Sequence, residues 1–156
     1  MFSKSGRLIA GLAVAILLSI QVVQPERTNP QSDPRSSFEA VVRPPHQVAS
    51  SLRRACGDCH SNQTNWPWYS RISPVSWFIA VDVREGRAHL NFSAWNQKAA
   101  EQEAPETGEL CAEVKNGKMP PRSYVLLHRA NRLSDSELAA LCAFPFAEPA
   151  ADYVRE

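Results

Sequence analysis

The chain has 156 residues, which suits one compact domain plus appendages. Its formal charge is only +1, so nothing in the total points to nucleic acid or to an anionic surface. Twelve prolines against six glycines call for stiff connections rather than flexible ones.

At the start, Lys4 and Arg7 precede the apolar run Leu8 to Val23, broken only by Gly11, Ser19 and Gln21. Basic residues ahead of an apolar stretch feed a chain into a bacterial inner membrane and keep the positive end in the cytoplasm. Residues 1–24 therefore read as a membrane anchor or a signal segment. The run is somewhat short of the roughly 20 residues that cross a bilayer squarely. Ala13-Val14-Ala15, however, lies too early to be a cleavage site, which favours a retained N-terminal transmembrane helix over a cleaved signal. A buried helix of a soluble domain is the third reading. Either export route leaves the rest of the chain on the periplasmic side, in an oxidising compartment.

Residues 25–45 are rich in Pro, Ser, Asn, Arg and Asp, with prolines at 25, 30, 34, 44 and 45. Such a composition buries little apolar surface and predicts an extended tether. Pro44-Pro45 then opens a short helix, His46 to about Ala55, with Val48 and Leu52 on one face.

Directly after it stands Cys56-Gly57-Asp58-Cys59-His60. Two cysteines separated by two residues and followed at once by histidine are the signature of covalent c-type haem attachment. Both thiols add across the vinyl groups of one haem edge, and the imidazole is held under the iron. Gly57 would relieve crowding near the porphyrin. A thioredoxin-like redox pair would want a βαβ pattern, which is missing. A zinc site would want a second ligand pair, and no second C-x-x-C or H-x-x-x-H follows.

Trp66, Trp68, Tyr69, Trp77 and Phe78 fall close together, interrupted by Pro67 and Pro74. On such loops they are expected to shield a porphyrin from water, the plainer alternative being ordinary core aromatics. A helix is predicted from near Pro74 to about Gly86, burying Val75, Phe78 and Ile79. A loop should follow, with Phe92 and Trp95 returning to the core. Glu101 to Pro105 reads as polar and mobile. A helix from about Glu106 to Lys115 is closed by Asn116-Gly117, a left-handed cap.

In Gly117-Lys118-Met119-Pro120-Pro121 a thioether is fixed between a glycine turn and two prolines. Met119 is the expected distal iron ligand, with His89 and His128 as its rivals and His46 a further candidate. The last helix starts at Ser134-Asp135-Ser136-Glu137, a capping box with Leu133 and Leu138 as its staple, and stops before Phe144-Pro145. Residues 147–156 read as a flexible tail. Cys111 and Cys142 sit on the two last-named helices. A disulfide between them suits an exported chain, and two buried thiols are the alternative.

Together Cys56 to Asn62, Trp66 to Ser70, Pro74 to Trp77, Gly86-Arg87, Leu90 to Trp95, Gly117 to Pro121, and the spacing of Tyr124, His128 and Leu133-Ser134 resemble the bacterial haem-binding domain family of cytochrome c-like proteins. The resemblance covers roughly Pro44 to Phe144, and Phe144-Pro145 departs from it where a tryptophan is expected. It implies an all-α fold: a small cytochrome c-like helical domain over residues 46–146 around one covalent haem, membrane-tethered or periplasmic. Cys56 and Cys59 would carry the haem c, and His60 and Met119 would ligate its iron. The expected activity is electron transfer to a redox partner protein, without enzymatic catalysis; a haem-based sensor in which Met119 is displaced is the alternative.

Overall fold

Among residues 3–96 and 107–146, which the computed structural model describes, every regular element is helical. The expectations for Glu101 to Glu106 and for the tail lie outside those residues. In chain order the helices are α1 (Lys4–Ile20), α2 (Phe38–Val42), α3 (His46–Ala55), α4 (Gly57–His60), α5 (Val75–His89), α6 (Thr107–Lys115), α7 (Arg122–Leu127) and α8 (Asp135–Ala143). Single 3₁₀ turns cover Pro34–Ser36, Trp68–Arg71 and Arg129–Asn131.

The apolar run near the N-terminus forms α1, started by the Ser3 side chain accepting from the Gly6 N–H. None of its residues is buried, which removes the reading of a buried helix. Its 17 residues reach about 25 Å at 1.5 Å per residue, short of a hydrocarbon core of about 30 Å. Among the described residues no helix is long and apolar enough to cross a membrane. The expected transmembrane helix is therefore not supported by the described residues.

Residues 25–45 depart furthest from expectation. Rather than a free tether, they lie along the domain and supply its central side chain. Phe38 is 1% exposed and packs against Trp95, Phe92, Phe144 and Phe146, with ring centroids 4.7 to 6.2 Å away. Val42, Val48, Leu52 and Leu141 complete this core. Burying one such phenylalanine is worth about 1.5–3 kcal/mol. One aromatic residue in a polar stretch thus outweighs the composition around it.

Helix α3 buries Val48 and Leu52 as expected, and Arg54 at its end binds the carbonyls of Ala130 and Arg132 and the Glu137 carboxylate. The capping box forms: the Ser134 hydroxyl accepts from the Glu137 N–H while the Glu137 carboxylate accepts from the Ser134 N–H. Gly117 has φ +67, the left-handed cap that closes α6. Cys111 on α6 and Cys142 on α8 are disulfide-bonded, Cα to Cα 5.1 Å.

Helix α5 runs one turn past Gly86 and turns a different face inward. Its buried residues are Ser76, Val83 and Gly86, whereas Val75 and Phe78 are exposed, Phe78 at 68%. At Gly86 the reason is close packing, since α5 backbone lies against Cys59 of α4, while Ser76 faces the Ser73 hydroxyl at 3.1 Å. Trp95 and Phe92 do return to the core.

Candidate functional site

Helices α3, α4, α5, α6 and the loop before α7 enclose a cleft of about 520 Å³, floored by Leu52, Leu90, Phe92, Leu110 and Val114. Cys56, Cys59, His60 and Met119 all open into it. Volume and lining match those of small-molecule and cofactor sites.

Three contacts fix the His60 end. The Cys56 carbonyl accepts from the His60 N–H at 2.9 Å, which sets the imidazole one turn beyond the first cysteine. The Phe92 N–H donates to the His60 carbonyl at 2.8 Å, and the Phe38 N–H to the Phe92 carbonyl at 2.7 Å, so the core is wired to this residue by backbone. His60 Nδ1 lies 3.1 Å from the Leu90 carbonyl. A carbonyl only accepts, so Nδ1 carries the hydrogen and Nε2 is the lone-pair nitrogen, the protonation a metal ligand needs. The carbonyl that orients the imidazole is that of Leu90, just past the end of α5.

Between α4 and α5 the critical glycine is Gly86. A Cβ there would stand 2.6 Å from the Cys59 carbonyl oxygen, whereas one on Gly57 would meet nothing among protein atoms closer than 3.8 Å. Burial pushes the Cys56 thiol up to about 12, the neighbouring Cys59 adding to it. Burial and then the Asp82 and Asp58 carboxylates push Cys59 to about 11. Redox-active C-x-x-C pairs work by lowered thiol pKa values, the opposite sign, so a thioredoxin-like role is disfavoured. Among the described residues no three His, Cys, Asp or Glu side chains converge to cage a metal ion by themselves.

The aromatic loop is not where it was expected. Trp66, Trp68, Tyr69 and Trp77 do not line the cleft. Trp66 donates its indole N–H to the Asn29 side chain and Trp77 donates to the Val23 carbonyl, so both hold the N-terminal segment against the domain. Trp68 is 75% exposed. Tyr69 binds His128 through its hydroxyl at 3.1 Å.

The histidine rivals separate. His128 stacks on Tyr124 with ring centroids 4.4 Å apart, and both its nitrogens face oxygen atoms, those of the Tyr69 hydroxyl and the Tyr124 carbonyl. His46 starts α3 away from the cleft. His89 does line the cleft, alongside Met119.

The model of the haem-binding domain family matches residues 15–145. The chain belongs to that family. No curated protein and no solved structure matches it. The match opens inside α1, ahead of Pro44, in keeping with the domain's hold on residues 21–42. A haem-binding domain needs an apolar slot with donors on its walls, and this cleft supplies one: two thiols on one side, an imidazole with its outer nitrogen fixed by Leu90, and a thioether.

Two residues of the site carry a role the sequence reading did not assign. Tyr124 lines the cleft and donates its hydroxyl to Asp58 Oδ2 at 2.7 Å, while Asn131 donates to that hydroxyl. Burial and the Asp58 charge raise the tyrosine's pKa. Asp58 also accepts from the Asn65 N–H at 3.0 Å, so the residue between the two cysteines ties α4 to both α7 and the following loop. The spacing of Tyr124, His128 and Leu133-Ser134 after the stretch that holds Asp58 was the available signal, but spacing alone does not say which residues meet.

Proposed function

We propose that this haem-binding domain is a single-haem, c-type electron-transfer protein working on the periplasmic side of a bacterial inner membrane. The observation that carries the reading is the convergence of Cys56, Cys59, His60 and Met119 on one apolar cleft. Haem bound there supplies an iron that takes up and gives back one electron. Cys56 and Cys59 would hold it as thioethers, and His60 through Nε2 and Met119 through its sulfur would ligate the iron. The protonated thiols of the folded chain fit attachment before folding, with the thioethers then buried among Leu52, Leu110 and their neighbours. His60 and Met119 as a pair favour a higher potential than two imidazoles would. Both are anchored in short, braced segments, so little has to rearrange as the charge changes. That favours a carrier over a catalyst. The Cys111–Cys142 bond supports an oxidising compartment.

One observation favours a second reading. Met119 is 39% exposed and lies on a loop, an arrangement that permits its displacement by a small ligand, as in a sensor. Carbon monoxide added to the reduced holoprotein separates the two. An unchanged spectrum is expected for the carrier, and rapid binding would establish the sensor instead.

A further inference from the structure

A second groove adjoins the cleft and shares Met119 with it. It measures about 750 Å³ and runs along α7 to the start of α8. Its floor includes Val125, Leu126 and Leu133, and its walls carry Arg122, Arg129 and Arg132. Leu126 is 68% exposed, and so, nearly as far, is its neighbour Leu127. The three arginines are exposed, and none of them makes an ion pair among the described residues. Asp135 is the one carboxylate in the lining, leaving a surplus of two positive charges. An apolar centre ringed by arginine, with Met119 at its edge and no lysine in the lining, is the composition of a protein-docking patch, since arginine and methionine are enriched there and lysine is depleted. The cleft itself is lined by four carboxylates, Asp82, Glu85, Glu109 and Glu113, the last paired with Lys118, whereas the groove has one. The positive surplus is therefore particular to the groove, which also carries the exposed apolar centre and shares Met119 with the cleft.

We infer that the groove of α7 is the docking surface for a redox partner whose own electron-exchange site is apolar and rimmed with carboxylates. The inference rests on the electron-transfer reading above. Opposite charge would steer the encounter and fall off with salt, and Leu126 with Val125 would be covered in the complex. Contact at Met119 brings the partner next to the distal side of the cleft, so the electron need not cross the domain.

The test uses holoprotein and defined probes. The redox-inert anion hexacyanochromate(III) should broaden the methyl signals of Val125, Leu126 and Leu133 in NMR spectra, and the cation hexaamminechromium(III) should not. An acidic blue-copper protein should oxidise the ferrous domain at a rate that falls with ionic strength. The variant R122E/R129E/R132E should lose the broadening and, at matched driving force, slow that oxidation by about tenfold or more, with its haem spectrum unchanged. Broadening confined to other residues in the parent protein would overturn the inference without any variant. So would equal rates for parent and variant, or a parent that prefers a basic cytochrome as oxidant. A holoprotein that exchanges no electrons with hexacyanoferrate(III) would instead remove the carrier reading itself, and the docking surface with it.

Discussion

Gly86 and Cys59 touch backbone to backbone. A Cβ built on Gly86 falls 2.6 Å from the Cys59 carbonyl oxygen and 3.0 Å from its carbon, and neither atom can step aside as a side chain would. Gly86→Ala is therefore expected to force α5 away from α4, at a cost of about 1–3 kcal/mol, and to lower the yield of haem-loaded protein. Gly57→Ala, whose nearest such contact is 3.8 Å, should stay within about 0.5 kcal/mol of the parent. Urea unfolding of both holoproteins, together with the haem-to-protein absorbance ratio, checks the pair. Equal stability for the two variants would show that the helices are not held by this contact.

Phe38 decides whether residues 25–45 belong to the folded domain. It is buried at the centre of four aromatic rings, so Phe38→Ala should cost about 3–5 kcal/mol. A residue in a free tether would change stability by no more than about 0.5 kcal/mol. Thermal or urea unfolding distinguishes the two outcomes without reference to haem.

The pH dependence of stability should carry the mark of Glu137. The Ser134 N–H and then the Arg54 guanidinium hold its carboxyl down at about 2, against an ordinary value of 4.5. A depressed folded-state value means the stabilisation is fully present above pH 4.5 and is lost as pH falls toward 2. Glu137→Gln keeps the shape but removes the charge, and should destabilise by about 1–3 kcal/mol at neutral pH. The gap to the parent should shrink in acid. Unfolding curves at neutral pH and at two acid values read this directly, and a gap that does not change with pH would mean the contact is not ionic in effect.

Much of this architecture was legible in the sequence where a local rule had one solution. The capping box at Ser134, the left-handed Gly117 and the helix from His46 to Ala55 each depend on residues within one or two turns. That Cys56, Cys59 and His60 share one cleft was legible for the same reason, since they lie within five consecutive residues. What was not legible depends on distant partners. The polar surroundings of Phe38 hid it, because composition averages over neighbours whereas burial is decided residue by residue. The stripe Val75, Phe78 and Ile79 has the right helical period, yet α5 turns another face inward, with Gly86 against the Cys59 backbone of α4 and Ser76 on the Ser73 hydroxyl. The tryptophans were legible as a cluster but not as a clamp, because the acceptors of Trp66 and Trp77, Asn29 and Val23, lie 37 and 54 residues back along the chain. Asp58 and Tyr124 meet across a still longer separation.

The distal ligand is the last point to be tested, and the cleft leaves two candidates. Met119 and His89 both line it, while His128 is committed to Tyr69 and Tyr124. Met119→Ala should open a coordination position, so that imidazole binds the ferric holoprotein at least about tenfold tighter, a difference of about 1.4 kcal/mol. His89→Ala should leave spectrum and potential as they were. The absorption band that ferric haem shows with thioether ligation should vanish in the first variant and persist in the second. A parent protein that lacks that band and keeps a low-spin spectrum lost only in His89→Ala, or a Met119→Ala protein with an unaltered potential, would transfer the ligand role to the imidazole. Because the arginine groove reaches the cleft through Met119, the same pair of variants also shows whether the residue at that junction is bound to iron or merely packed beside it.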